Sequence, residues 1–187
     1  YSCQDILFGP KLSMMVIDKH ALNSARAIRK LIRRAATDAS VFDQFACASP
    51  HTIFVEKGGM ISPEEFAAEL CVGMEKALSR LPTGIPDVGQ ANKIRSKIAE
   101  YSFVGESWHH EDLLWTVLFS EDTDLVDPTY QRVITVKAVD DIFDVLEVVH
   151  GDIQTVGLAM GGARRLQFAN KIINKGAMRC PDIGFMT

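Results

Sequence analysis

The sequence predicts an α/β fold, a three-layer αβα arrangement around a mainly parallel sheet. Short, continuous apolar runs such as residues 14–17 alternate with segments of helical period. Strands that are covered by helices on both faces have continuous apolar sequences, and alternation of such strands with helices is typical of parallel sheets. The chain has 187 residues, 47% of them hydrophobic, which suffices for one domain with its own core.

The first half of the chain predicts two strands and two helices. The run at 14–17 ends at Asp18, and from Ala21 to Ala35 small and apolar residues recur at spacings of three and four, as on one face of a helix. A second strand is expected at 51–56. A helix is expected over 62–81, because its Ser-Pro-Glu-Glu start matches a capping box.

The second half predicts three more strands and three more helices. Strands are expected at 113–119, 132–139 and 153–160. Helices are expected at 86–101, at 140–149 and at 161–176. In the last helix the pattern points four residues inward: Leu166, Ala169, Ile172 and Ile173. Residues 121–128 read as an exposed loop, and sites in such folds usually gather at the carboxyl ends of the strands.

Composition bears on several classes of partner. The net charge of -4 gives no general attraction to nucleic acid. No apolar run approaches the roughly 18 residues of a membrane span. The adjacent His109 and His110 point apart on a helix or strand, and no C-x-x-C pair occurs, so no metal site is predicted. No signal peptide is expected before Tyr1, and a reducing cytoplasm is expected from the sparse cysteines, which are Cys3, Cys47, Cys71 and Cys180.

Cys47 lies where a predicted helix passes into a predicted strand. Its neighbours Ala46, Ala48 and Ser49 are small, so a substrate can approach the sulfur and nearby backbone N–H groups can bind an oxyanion. A cysteine in this setting can be a nucleophile, or it can be a small buried hydrophobe as free cysteines commonly are. A Cys47–His51 pair is not favoured, because Pro50 intervenes and His51 enters the strand. Cys71, inside a capped helix, is expected to belong to the core.

The first predicted helix carries a basic face. Its cations are Arg26, Arg29, Lys30, Arg33 and Arg34. Such a face is either an ordinary solvated surface or a docking surface for an acidic carrier or a phosphate-bearing cofactor.

No dinucleotide fingerprint, Walker motif or G-x-S-x-G motif is found, but the order of several short motifs is informative. Residues 7–11 (LFGPK), a strand ending at Asp18, a helix, and Gln44-x-x-Cys47 resemble the aldehyde dehydrogenase superfamily. More closely, residues 8–11 and 45–50 (FACASP) resemble the long-chain acyl-CoA reductases, which include the reductase subunit of the bacterial bioluminescence fatty-acid reductase complex. Residues 132–134 and 154–157 also resemble that family's later strands.

This resemblance implies that residues 1–187 form the thioester-forming catalytic domain, with a nucleotide-binding domain preceding Tyr1 in the full protein. Cys47 would be the nucleophile that accepts the acyl group from acyl-CoA or an acylated partner protein. NADPH, or NADH, bound mainly by the missing domain, would then reduce the thioester to an aldehyde. Cytoplasmic location and a possible homo-oligomer are further expectations, and the isolated domain is expected to be acylated without reducing.

Two departures from the superfamily pattern matter. Leu7 stands where hydrolytic members carry a glutamate that activates water, which favours acyl reduction over oxidation of aldehyde to acid. The Glu-x-Phe-Gly-Pro segment that grips the cofactor ribose is not intact around Tyr130, so no cofactor-binding residue is assigned. Two alternatives remain open: a short-chain CoA-acylating aldehyde dehydrogenase, and an acyl-binding or relay module that reduces nothing.

Overall fold

The computed structural model describes residues 11–149 and 151–187, which contain a six-stranded sheet flanked by helices. The strands are β1 (Leu12–Ile17), β2 (Pro50–Glu56), β3 (Gly105–His109), β4 (Thr116–Ser120), β5 (Val133–Val139) and β6 (Ile153–Ala159). The α-helices are α1 (Ala25–Ser40), α2 (Pro63–Arg80), α3 (Val88–Val104) and α4 (Gly162–Asn174). Short 3-10 helices cover Lys19–Ala21, Val41–Gln44 and Ile142–Glu147. Among these residues no helix has the length and apolar character needed to cross a bilayer.

The sheet is mainly parallel, as the sequence predicts. Its strand order is β3-β4-β5-β2-β1-β6, and every neighbouring pair is parallel except the antiparallel β3–β4 pair. The strand β3 was not predicted, because Gly105–His109 has no buried apolar run. As an edge strand it is half-buried or exposed throughout. At Gly105 a Cβ would lie 1.9 Å from the Phe119 carbonyl oxygen, so only glycine fits this close approach.

Helices cover both faces of the sheet and make it the middle of three layers. On one face α1 and α2 pack against side chains such as Met15, Ile53 and Val136. On the other face α4 and the 3-10 helix Ile142–Glu147 pack on Met14 and Phe54, and α3 packs on Leu118. Successive side chains along each strand point to opposite faces of the sheet and so supply two core layers, one under each layer of helices. This confirms the three-layer prediction.

Two helix starts show what the sequence does and does not determine. The capping box at Ser62 forms as predicted, with Glu65 N–H donating to Ser62 Oγ (3.0 Å) and Ser62 N–H donating to Glu65 Oε2 (2.7 Å). By contrast, α1 begins four residues after the predicted Ala21. Ala21 closes a 3-10 turn capped by Asp18, and Ser24 then caps α1.

Three further expectations need correction. The predicted strand 113–119 starts later, at Thr116, because Leu113 has a positive φ of 58°. The helix expected from Asp140 is a short 3-10 helix capped by Asp141. In α4, Leu166 and Ile173 are exposed and Phe168 and Ile172 are buried, because this helix lies at one side of the sheet and buries one narrow stripe.

The C-terminal segment covers the outer edge of β6. Val156 N–H donates to the Arg179 carbonyl (3.0 Å), and Leu158 N–H to that of Pro181 (2.8 Å). Gly184 N–H then donates to the buried carboxylate of Asp38 on α1 (2.6 Å), whose pKa is raised by burial. This pairing protects an edge that would otherwise present free backbone groups.

Candidate active site

Cys47 lies in an exposed loop between α1 and β2. Because the loop enters β2, it lies at the amino edge of the parallel sheet and not at the carboxyl edge, where sites of this fold class usually gather. The buried-hydrophobe alternative is therefore wrong for Cys47. The reason is local: α1 ends at Ser40, a 3-10 helix follows, and a turn closed by Ser49 N–H on the Ala46 carbonyl (2.9 Å) turns the sulfur outward.

Two buried side chains fix this loop to four strands of the sheet. Ser13 Oγ on β1 donates to the Cys47 carbonyl (2.7 Å) and accepts from Thr155 N–H on β6 (3.2 Å). Gln44 Nε2 donates to the carbonyls of Pro50 on β2 (2.8 Å) and Val133 on β5 (2.9 Å). Cys47 is thus exposed while the backbone of its loop is anchored, an arrangement that a positioned catalytic group requires.

The backbone around the sulfur offers unused donors. Cys47 uses its carbonyl as an acceptor, but within the described part of the chain neither the Cys47 nor the Ala48 N–H donates a hydrogen bond. Free N–H groups beside a nucleophile are the donors that stabilise a developing oxyanion.

A second segment, Tyr130–Arg132, braces the cysteine loop. Arg132 Nε donates to Asp43 Oδ1 (2.6 Å), and Gln131 N–H donates to the Asp43 carbonyl (2.9 Å). Both segments have left-handed backbone at three consecutive non-glycine residues, with φ of 49° to 65° at 42–44 and 56° to 62° at 130–132. Such backbone persists only where neighbouring contacts enforce it, and it concentrates at functional sites.

Aromatic rings surround the loop. The Phe45 ring stacks on Tyr130 with centroids 5.0 Å apart, and Tyr130 meets the edge of His51 at 5.4 Å. Burial lowers the pKa of His51 to about 4, so its imidazole is neutral near pH 7. Phe42 and Phe45 are about two-thirds exposed, at 67% and 64%. Exposed apolar surface therefore lies on the same loop as Cys47.

The other described cysteines are poor nucleophiles. Burial raises the pKa of the Cys71 thiol to about 12, and its Sγ donates to the Ala67 carbonyl (3.3 Å). Burial also raises the pKa of Cys180. Cys3 and Leu7 lie outside the described residues. The described residues hold no cluster of three or more potential metal ligands.

The described residues do not form a dinucleotide site next to Cys47. The glycine turn before α4 lies at the opposite, carboxyl edge of the sheet. Asp43, the carboxylate held at the Tyr130–Arg132 segment, is bonded to Arg132. These residues supply an aromatic surface at the Cys47 loop.

Comparison with known proteins decides the family. A family model described as acyl-CoA reductase (LuxC) matches residues 1–187. The chain belongs to the acyl-CoA reductase family. No curated protein matches the sequence.

Solved structures place this member of the acyl-CoA reductase family in the aldehyde dehydrogenase fold. An NAD-dependent aldehyde dehydrogenase from Burkholderia multivorans matches with a TM-score of 0.69 and 15% identity, covering 95% of this chain and 36% of its own. The Mycobacterium tuberculosis Δ-pyrroline-5-carboxylate dehydrogenase bound with NAD and cobalamin matches with a TM-score of 0.62 and 15% identity. The match covers 93% of this chain and 34% of that protein. The chain thus spans about a third of these proteins, and identities this low show the fold alone.

The sequence singled out Cys47 but not the residues that support its loop. Gln44 was noted only as a loose motif match, and the structure makes it a buried anchor of the loop. Ser13, Asp43 and Arg132 were not singled out. Arg132, at the start of an otherwise apolar strand, was the available signal, because a buried arginine needs an acceptor.

Proposed function

We propose that this protein transfers a long-chain fatty acyl group from a thioester to Cys47 and reduces it to an aldehyde with NADPH. The observation that carries the proposal is the exposed Cys47 sulfur, held on an anchored loop beside two unused backbone N–H groups. Membership of the acyl-CoA reductase family supports the reaction class.

The described residues account for the acylation half of the reaction. The Cys47 thiolate attacks the thioester carbonyl and forms a new S–C bond, while the N–H groups of Cys47 and Ala48 stabilise the oxyanion. The tetrahedral intermediate collapses, the bond to the donor sulfur breaks, and the donor thiolate leaves and takes up a proton. His51 is buried and neutral, and nothing places it at the sulfur, so we assign it no proton transfer.

Reduced nicotinamide would supply the hydride when it is bound. We propose that it is bound mainly by a further domain of the full-length protein, as in the superfamily that the sequence motifs resemble. The donor, acyl-CoA or an acylated partner protein, belongs to the same proposal, as do a cytoplasmic location and a homo-oligomeric state.

The exposed aromatics of the Cys47 loop and of the segment packed against it favour a long acyl chain over the short-chain CoA-acylating alternative. Phe42, Phe45 and Tyr130 present apolar surface that a long hydrocarbon chain can cover, and a short acyl group cannot. A relay module without reductase activity is the second candidate, because acylation alone needs no more than the exposed Cys47 and the N–H groups of its loop.

The test uses the full-length protein with acyl-CoA of long and short chain and NADPH. We expect aldehyde formation that prefers the long chain, is abolished in Cys47→Ala and persists in Cys71→Ala. Acylation without aldehyde in the full-length protein would favour the relay module, and a short-chain preference would favour the other dehydrogenase class.

A further inference from the structure

A groove of about 550 Å³ runs between α1 and α2, on the face of these helices that is turned away from the sheet. Arg29 and Arg33 of α1 line one side, and Lys76 and Arg80 of α2 line the other. In each pair the residues are one helical turn apart, about 6 Å along the axis. The groove is therefore flanked by two rows of cations at matching intervals.

These cations are not neutralised by the chain itself. None of the four forms an ion pair with a described carboxylate, and Glu69 is the one acidic residue that lines the groove. The acidic residue of α1, Asp38, is turned inward and accepts from Gly184 N–H. A strongly positive groove thus lies on a chain whose net charge is -4.

The floor of the groove is apolar. Ile32 is buried there and Val72 is half exposed. A Cβ at Gly73 would lie 2.6 Å from Ile32 Cγ2, so the glycine lets the two helices pack closely and form a continuous floor. An apolar floor between cationic walls matches a ligand that has apolar and acidic parts together.

We propose that this groove binds an acidic amphipathic helix of a partner protein. Carboxylates at i and i+4 on such a helix match the cation rows, and an apolar side chain between them covers Val72. A phosphate group fits less well, because the middle turns of α1 and α2 have no free backbone N–H groups to converge on it. The inference concerns binding alone and does not rest on the proposed function.

α1 and α2 run in the same direction, since each leads from the carboxyl end of a strand back toward the amino edge. Both end at the edge of the sheet where the Cys47 loop lies, and Arg80 Nη2 reaches Thr37 Oγ1 at that end (3.3 Å). A partner helix in the groove is thereby aligned toward the Cys47 loop, and electrostatic attraction of this kind acts mainly on the rate of encounter.

The test measures fluorescence anisotropy of a labelled synthetic helical peptide added to the full-length protein. The peptide carries Glu pairs at i and i+4 on both sides of a central Leu, and its analogues carry Gln for Glu or Ser for Leu. Three protein variants are compared: Arg33→Glu with Lys76→Glu in the walls, Val72→Asp in the floor, and Lys93→Glu with Arg95→Glu on exposed α3 as the control. All five substituted side chains are exposed, so each variant is expected to fold.

We expect the wall and floor variants to bind the peptide about tenfold more weakly than the wild type does. Each peptide analogue should also bind the wild type about tenfold more weakly than the parent peptide. The α3 control variant should change the affinity by less than about twofold. The proposal would be overturned in favour of a general charge effect by either of two results. One is that polyglutamate binds as tightly as the helical peptide. The other is that the α3 control variant weakens peptide binding as much as the wall variant does. Competition by inorganic phosphate at low concentration would overturn it in favour of a phosphate site. Loss of a homo-oligomer in the wall variant, seen by light scattering, would show instead that a second copy occupies the groove.

Discussion

The carboxylate of Asp43 accepts a 2.6 Å hydrogen bond from Arg132 Nε, between residues that are 89 positions apart in the chain. This ion pair joins two segments of left-handed backbone, and one of them leads into Cys47. Left-handed backbone costs about 1–2 kcal/mol per non-glycine residue. The pair, the Gln131–Asp43 backbone bond and the Phe45–Tyr130 stack offset this cost and fix the cysteine loop.

Arg132→Gln should therefore release the loop. Arg132 is buried, and loss of a charged hydrogen bond of this kind lowers the free energy of unfolding by about 2 kcal/mol. We also expect slower acylation of Cys47. Urea unfolding and acylation rates measure both effects, and Lys57→Gln is the control, since the Lys57–Asp140 pair is exposed and should contribute less than about 1 kcal/mol. A double-mutant cycle with Asp43→Asn that gave no coupling would contradict this role.

The thiols should differ sharply in reactivity. Brief treatment with iodoacetamide is expected to label Cys47 before Cys71 or Cys180, because burial raises the pKa of both of the latter and Cys47 is exposed. Peptide mass spectrometry identifies the labelled cysteine, and Cys47→Ser should remove the fast phase. Labelling of Cys71 or Cys180 in that fast phase would refute the assignment.

His51 should make stability depend on pH. Its pKa is about 6.5 in the unfolded chain and about 4 in the fold, so the unfolded chain takes up the proton first as the pH falls. The stability that the fold has while His51 is neutral in both states is complete above pH 6.5, and it is lost between pH 6.5 and about 4. From pH 7 to pH 5 the wild type should lose about 2 kcal/mol more unfolding free energy than His51→Phe, which keeps a ring against Tyr130. Parallel losses in urea titrations of the two proteins would mean that His51 is solvated in the fold.

Leu7→Glu should redirect the thioester toward water. A carboxylate at this position can act as a general base, so the ratio of free fatty acid to aldehyde should rise in the full-length protein. Product analysis measures the ratio, and Leu7→Gln, which has similar size and no base, is the control. The prediction comes from the sequence alone. An unchanged ratio in a folded Glu variant would mean that residue 7 does not face the thioester.

The parts of the fold that the sequence predicts are those with a periodic or capped signal. The apolar run at 14–17 and the capping box at Ser62 each determine an element locally. Elements that depend on distant partners escaped prediction: β3 is a strand only because it pairs with β4, and the segment after Met178 covers the edge of β6.

The same division holds at the site. Small neighbours marked the position of Cys47, since they are a property of the local sequence. The supports of its loop come from β1, β5 and the segment before β5, so no pattern in the sequence near Cys47 predicts them. Ser13 and Asp43 act through hydrogen bonds to residues 34 and 89 positions away. Such contacts are set by the folded topology.

Acylation of Cys47 is the step on which the rest of the proposed reaction depends, and trapping the acyl-enzyme tests it most directly. The full-length protein is mixed with long-chain acyl-CoA without reduced cofactor, digested and mapped by mass spectrometry. We predict one acyl increment, on the peptide that contains Cys47, absent in Cys47→Ala and lost when NADPH is added with release of aldehyde. An acyl increment on another residue, or one that persists in Cys47→Ala, would contradict the account.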